Sequence, residues 1–148
     1  MDSRRRGPIG IELVKRGILT QSDIDKALEY QRRNPNKKII DIISILNLCD
    51  QFVLLQVLGE ILGEKTIMFS NNDVKIDIKK YISLDMAKKY LAVPFEINGD
   101  KIKVCFSDNS SNSAAEAIRL IFLNKGYTME KFVTFERNTH LKEPIQII

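Results

Sequence analysis

The chain has 148 residues, 44% hydrophobic and 28% charged, enough for one folded domain or two small lobes. No apolar run approaches the ~20 residues that span a bilayer, so direct membrane insertion is not expected. The basic start MDSRRRGPIG leads into no hydrophobic segment, which argues against a secretory signal and makes a cytoplasmic location the expectation.

The net charge of +4 and pI of about 9.1 are modest. The excess lies in Arg4, Arg5 and Arg6, in residues 32–38 and in residues 79–89, and reads as solvated helix faces and loop ends. DNA is disfavoured as a partner, because no helix carries a dense row of Arg, Lys, Asn and Gln. Cys49 and Cys105 both sit in apolar segments, the pattern of buried free thiols rather than a disulfide.

Residues 1–7 read as a flexible basic tail. The stretch that follows, IGIELVKRGILTQSDIDKALEYQ, reads as two short helices with a fixed joint. Ile9, Leu13 and Val14 share one side of the first helix, and Gly17 stops it, since glycine enters the left-handed conformation without a side-chain clash. Ile18 and Leu19 bridge to a helix opened by Thr20, with Asp23 completing a capping-box pattern. Ile24, Ala27, Leu28 and Gln31 then recur at i, i+3, i+4 and i+7.

After the polar turn RRNPNKK the design returns thirty residues on, as KIIDIISILNLCDQFVLLQVLGEIL. Ile43 takes the place of Leu13, and Asn47, the next most tolerant left-handed residue, that of Gly17. Leu48 and Cys49 replace Ile18 and Leu19, Asp50 replaces Thr20, and Leu54, Val57 and Leu58 replace Ile24, Ala27 and Leu28. Residues 8–64 are therefore expected to form a four-helix lobe of two helix-hairpin repeats.

Periodicity then changes. Residues 66–69 (TIMF) are a strand candidate, followed by the turn SNND and an extended piece, VKIDI. Residues 84–90 read as a helix capped by Ser83. Residues 92–97 read as a strand, with Pro94 marking an edge position or a strand start, turning at Asn98 and Gly99 into an alternating strand over 101–106. A helix over 114–123 and a last strand around 132–135 complete an α+β lobe, residues 65–136, with a mostly antiparallel three- or four-stranded sheet. Residues 137–148 are expected to be a linker or tail.

The inventory of reactive groups is thin. The chain contains no GxxxxGK[ST] phosphate loop, and His140, in the expected tail, is the only histidine. The serines of SDNSSNS have no base nearby in sequence. No catalytic residue and no metal site is expected, and nothing points to an enzyme.

The run small–x–x–Leu-Val–x–x–Gly-Ile-Leu–Thr–x–x–Asp-Ile–x–x–Ala-Leu–x–x–Gln, its second copy, and KKYLAVPFEINGDKIKVCFSD after it resemble the N-terminal domain of type II secretion and type IV pilus assembly ATPases, the GspE N-terminal or MshEN domain. The resemblance runs from Ile9 to about Phe135. It implies a non-catalytic docking or regulatory domain binding an inner-membrane platform or adaptor of the assembly machine, with an ATPase domain C-terminal to it. Such a partner would recruit it to the inner face of the cell membrane, and the sheet edge at 92–97 is the expected partner face.

Some members bind cyclic-di-GMP with the tandem motif, which the resemblance implies as a second reading. Carried over by position, the first motif offers Arg6, Ile9, Gly10, Leu13, Gly17, Ile18, Leu19, Leu28 and Gln31. The second offers Lys38, Ile39, Asp41, Ile43, Asn47 and Leu48. Departures are evident. Pro8 stands at the family's arginine, with Arg6 nearby, and Lys38 lacks the flat fork of arginine. Ile40 stands at a glycine and Ile61 at the closing glutamine. The helix-packing part of the motif survives better than the ligand-contacting part.

Overall fold

The computed structural model describes residues 7–139. The expected tail over residues 1–6, Arg6 included, and the chain from His140 through Pro144 lie outside the described residues; Gly7 already opens the first helix. The described residues form, in order, α1 (Gly7–Lys15), α2 (Gln21–Arg33), α3 (Ile39–Ile45), α4 (Gln51–Leu62), α5 (Leu84–Tyr90), β1 (Ala92–Asn98), β2 (Lys101–Ser107), α6 (Asn112–Asn124), β3 (Thr128–Thr134) and α7 (Glu136–Thr139). This is an α+β fold in which helices precede the sheet, divided between Gly63 and Glu64 into two compact units.

In the first unit both helix pairs bend by the same hydrogen-bond scheme. At Gly17, φ +73°, the Gly17 N–H donates to Val14 O (3.0 Å) and the Ile18 N–H to Leu13 O (2.9 Å). At Asn47, φ +53°, the Asn47 N–H donates to Ser44 O (3.1 Å) and the Leu48 N–H to Ile43 O (3.2 Å). This is the Schellman closure, which satisfies the last carbonyls of a helix and requires a left-handed residue.

The second helices are capped at equivalent places. Thr20 Oγ1 accepts from the Asp23 N–H (3.1 Å) while Asp23 Oδ2 accepts from the Thr20 N–H (3.0 Å). Asp50 Oδ1 accepts from the N–H groups of Phe52 (2.9 Å) and Val53 (3.1 Å). Packing then crosses between pairs: α1 lies on α3 and α4, and α2 on α3, a pattern unchanged when the pairs are exchanged. The matched positions Leu13 and Ile43, Ile24 and Leu54, and Ala27 and Val57 are all buried. Full burial of each large aliphatic contributes about 1.5–3 kcal/mol, which no single short amphipathic helix could collect alone.

The second unit is built on a three-stranded sheet ordered β1-β2-β3. β1 and β2 pair antiparallel, with Asn98 opposite Lys101, so the two-residue loop is Gly99 and Asp100. Only Gly99 has positive φ (+62°), the type II′ pattern, and the turn sits one residue beyond the Asn98 and Gly99 expected from sequence. β3 joins β2 in parallel, in register from Lys101 opposite Thr128 to Ser107 opposite Thr134. One of the two pairings is thus antiparallel and the sheet is mixed. The reason is α6: a helical crossover returns the chain to the end of β2 where it began. Ile118 and Phe122 of α6 are fully buried in one core with Ile102, Val104 and Phe106.

Three shorter segments differ from expectation. Residues 66–69 make a single bridge, Thr66 to Val133, rather than a strand, because the chain leaves β3 after Ile67 N–H meets Val133 O (3.1 Å). VKIDI ends in a 3-10 turn, Ile78–Lys80, which buries Ile78 against the sheet instead of extending it. Past Thr134, α7 keeps the chain against the unit: Thr139 is buried, and Asn138 Nδ2 donates to Thr134 Oγ1 (3.1 Å). The fold therefore continues beyond the expected end at residue 136.

Candidate functional site

The candidate site is the pair of hinge turns, at Gly17 and Asn47, with the helix ends around them. Both turns lie at the surface: Gly17 and Asn47 are exposed, and Ile18 and Leu48 are half-buried. The turns are braced differently. In the first, Arg16 reaches Glu12 Oε2 (2.8 Å) and Glu60 Oε2 (2.6 Å), pinning α1 to α4. In the second, Ser44 Oγ meets Gln51 Oε1 (2.5 Å), and Gln51 Nε2 lies 3.4 Å from Asn47 Oδ1. Sequence reasoning missed this Ser44–Gln51 lock, because two polar residues seven apart carry no signal until the hinge brings them together.

Electrostatics at the turns follow from the caps. The Thr20 backbone N–H, then its hydroxyl, hold the Asp23 carboxyl below its ordinary value. The free Cys49 thiol is pushed up, first by burial and then by the carboxylates of Asp50 and Asp23. Cys105, buried in the central strand β2, is pushed up further by burial, so neither thiol is primed as a nucleophile.

The proposed ligand residues divide into two sets. Ile9, Leu13, Leu19, Ile39 and Ile43 are core, none more than 6% exposed, and Gly10 is buried within α1. Gly17, Ile18, Leu28, Gln31, Lys38, Asp41, Asn47 and Leu48 reach the surface in whole or part. Gln31 is engaged locally: its Nε2 donates to Lys37 O (3.1 Å), closing the loop between the pairs. Lys38 is the exposed residue before α3 and makes no side-chain capping bond.

No family model matches the chain. It is 26% identical over 130 residues to the type IV pilus assembly ATPase PilB of Myxococcus xanthus (strain DK1622), a match covering 88% of this chain and 22% of that protein. The chain thus spans about a fifth of the length of that relative. Among solved structures it is similar to MshE with cyclic-di-GMP, at 23% identity and TM-score 0.62, covering 90% of this chain and 94% of that one. It is also similar to the N-terminal domain of XpsE, at 16% identity and TM-score 0.56, covering 94% and 93%.

The fold is that of a GspE/MshEN-like N-terminal domain.

Within this GspE/MshEN-like domain the helix-packing residues of the tandem motif do what their pattern requires. Ile40, in the place that Gly10 holds in the first copy, is only 5% exposed and belongs to the core of the helical unit. The edge at 92–97 is partly closed. Pro94 has no N–H to offer, residues 92–95 are buried, and Phe95 O already accepts from the Lys75 N–H (2.7 Å). Among the described residues no helix is long and apolar enough to cross a membrane.

Proposed function

We propose that this chain is the non-catalytic docking and regulatory domain of a type II secretion or type IV pilus assembly ATPase. In this reading it binds an inner-membrane platform or adaptor protein, stands N-terminal to an ATPase domain, and works at the cytoplasmic face of the membrane when that partner recruits it. The observation that supports it best is the pair of equivalent bent helix pairs joined to a small mixed sheet, the fold shared with MshE and with the N-terminal domain of XpsE. The test is complex formation between the purified chain and the soluble portion of the platform component, followed by size-exclusion chromatography with light scattering. A defined complex is expected, with no ATP hydrolysis by the chain alone. Separate elution at tens of micromolar of each protein overturns the proposal.

A receptor for cyclic-di-GMP is the second reading, and the MshE complex with that ligand is what favours it. Gly17, Ile18, Asn47 and Leu48 lie at the surface of two equivalent turns, where backbone and apolar side chain are both open to a guanine or a phosphate. Against it stand the buried Ile40 and the absence of a forked arginine at Lys38. Calorimetric titration with cyclic-di-GMP separates the readings. No heat at tens of micromolar ligand removes the receptor, and heat that is unchanged in both Lys38→Ala and Arg6→Ala removes the residue assignment.

A further inference from the structure

We infer that the hinge corner of the second helix pair is a docking face for a basic amphipathic helix of a partner protein. This rests on the docking reading above and adds where the partner sits and what it presents. Two copies of one backbone plan need the same residues inside, so differences outside report something other than folding. Lys15 corresponds to Ile45, and Ser22 corresponds to Phe52. Phe52 is 68% exposed and Ile45 is 43% exposed. The first pair folds with lysine and serine at these places, so the backbone plan requires neither the ring nor the branched chain. The Ser44–Gln51 lock holds the end of α3 to the start of α4, and Ile45 and Phe52 are the next residue on each element, with half-buried Leu48 in the turn between. Two large apolar side chains left exposed on either side of one turn point to an interaction surface.

Charge selects the occupant. From residue 39 to residue 62 the chain carries neither lysine nor arginine, and of its three carboxylates Glu60 is paired with Arg16 while Asp41 and Asp50 remain on the α3–α4 side, whereas residues 9–34 mix both signs of charge. Asp50 stands at the corner itself, its Oδ1 accepting from the Phe52 N–H (2.9 Å). An apolar anchor with the Asp50 carboxylate beside it, on a stretch free of lysine and arginine, complements a helix with an aliphatic stripe flanked by lysine or arginine. It repels an anionic bilayer.

The test uses the whole chain and two dye-labelled peptides of one amphipathic helical pattern, one of leucine and lysine, the other of leucine and glutamate. Fluorescence anisotropy should show binding of the lysine peptide, weakened by salt and weakened about tenfold in Phe52→Ser and in Ile45→Lys. Both variants install residues the first pair already carries at exposed positions, so their thermal melts should match the parent. Equal binding of the glutamate peptide, or unchanged affinity in both variants, overturns the inference. So does sedimentation with phosphatidylglycerol vesicles that the same variants abolish. Failure here is separable from failure of the docking reading. A complex with the platform component that survives both variants removes this face alone, whereas no complex with the parent chain removes docking itself.

Discussion

The two helix pairs of the first unit obey one backbone rule and present two surfaces. Both close with a Schellman turn, both put a large aliphatic at the centre, and both restart on an oxygen-bearing cap. Outside, the first pair mixes both signs of charge and ties itself to α4 through Arg16, while the second is apolar and acidic and ties itself through a serine and a glutamine. The inner half of a repeat is constrained by packing density and by left-handed φ, which few residues satisfy. The outer half is free to diverge, and that is where a function specific to one copy can be written.

The strongest way to break the comparison is at the centre. Leu13→Ala and Ile43→Ala should each cost about 2–5 kcal/mol in urea denaturation, the two values agreeing to within about 1 kcal/mol. A large cost at one and none at the other would mean that the copies do not share an interior. Next come the hinges. Gly17→Ala should cost about 1–2 kcal/mol, because φ +73° forces its Cβ toward a carbonyl, while Asn47→Gly should be neutral within about 0.5 kcal/mol. If Gly17→Ala is neutral, the left-handed turn is not what ends α1.

Cap removal should follow at about 1 kcal/mol for each of Thr20→Ala and Asp50→Ala, read from thermal melts. The Asp23 carboxyl adds a pH dependence to the first pair. Its folded value is depressed by the Thr20 N–H and hydroxyl, so its stabilisation is present above the unfolded carboxylate range and is lost as pH falls through the folded value. Asp23→Asn should therefore flatten part of the acid limb of the stability curve, and an identical acid limb in that variant would contradict the capping-box geometry. The smallest effect is expected at the surface. Arg16→Ala should lower the melting temperature slightly in dilute buffer and not at all in about 1 M salt, since its partners Glu12 and Glu60 are partly exposed.

Local chemistry was readable wherever one residue type is strongly preferred for a backbone state. Gly17 and Asn47 as stops, Thr20 with Asp23, Asp50 and Ser83 as caps, and the hairpin around Gly99 all belong to this class. The β2–β3 pairing was not readable, because YTMEKFVTFE alternates equally well beside a parallel or an antiparallel neighbour. The alternation around Ile78 predicts an extended piece, yet its burial in the core accompanies a 3-10 turn. The candidate site was legible only as a list. Sequence could not separate Leu13 and Ile43, which are core, from Ile18 and Leu48, which reach solvent, since all four are aliphatic residues of one motif.

By itself the chain determined that two bent helix pairs exist and where each bends, because left-handed φ and helix capping are decided within a few residues. Only the tertiary structure decided which helix lies on which, that the sheet is mixed, and that Ile45 and Phe52 stay exposed beside the Ser44–Gln51 bond. The packing and the sheet topology depend on contacts between residues distant in sequence, and local preference carries no information about them.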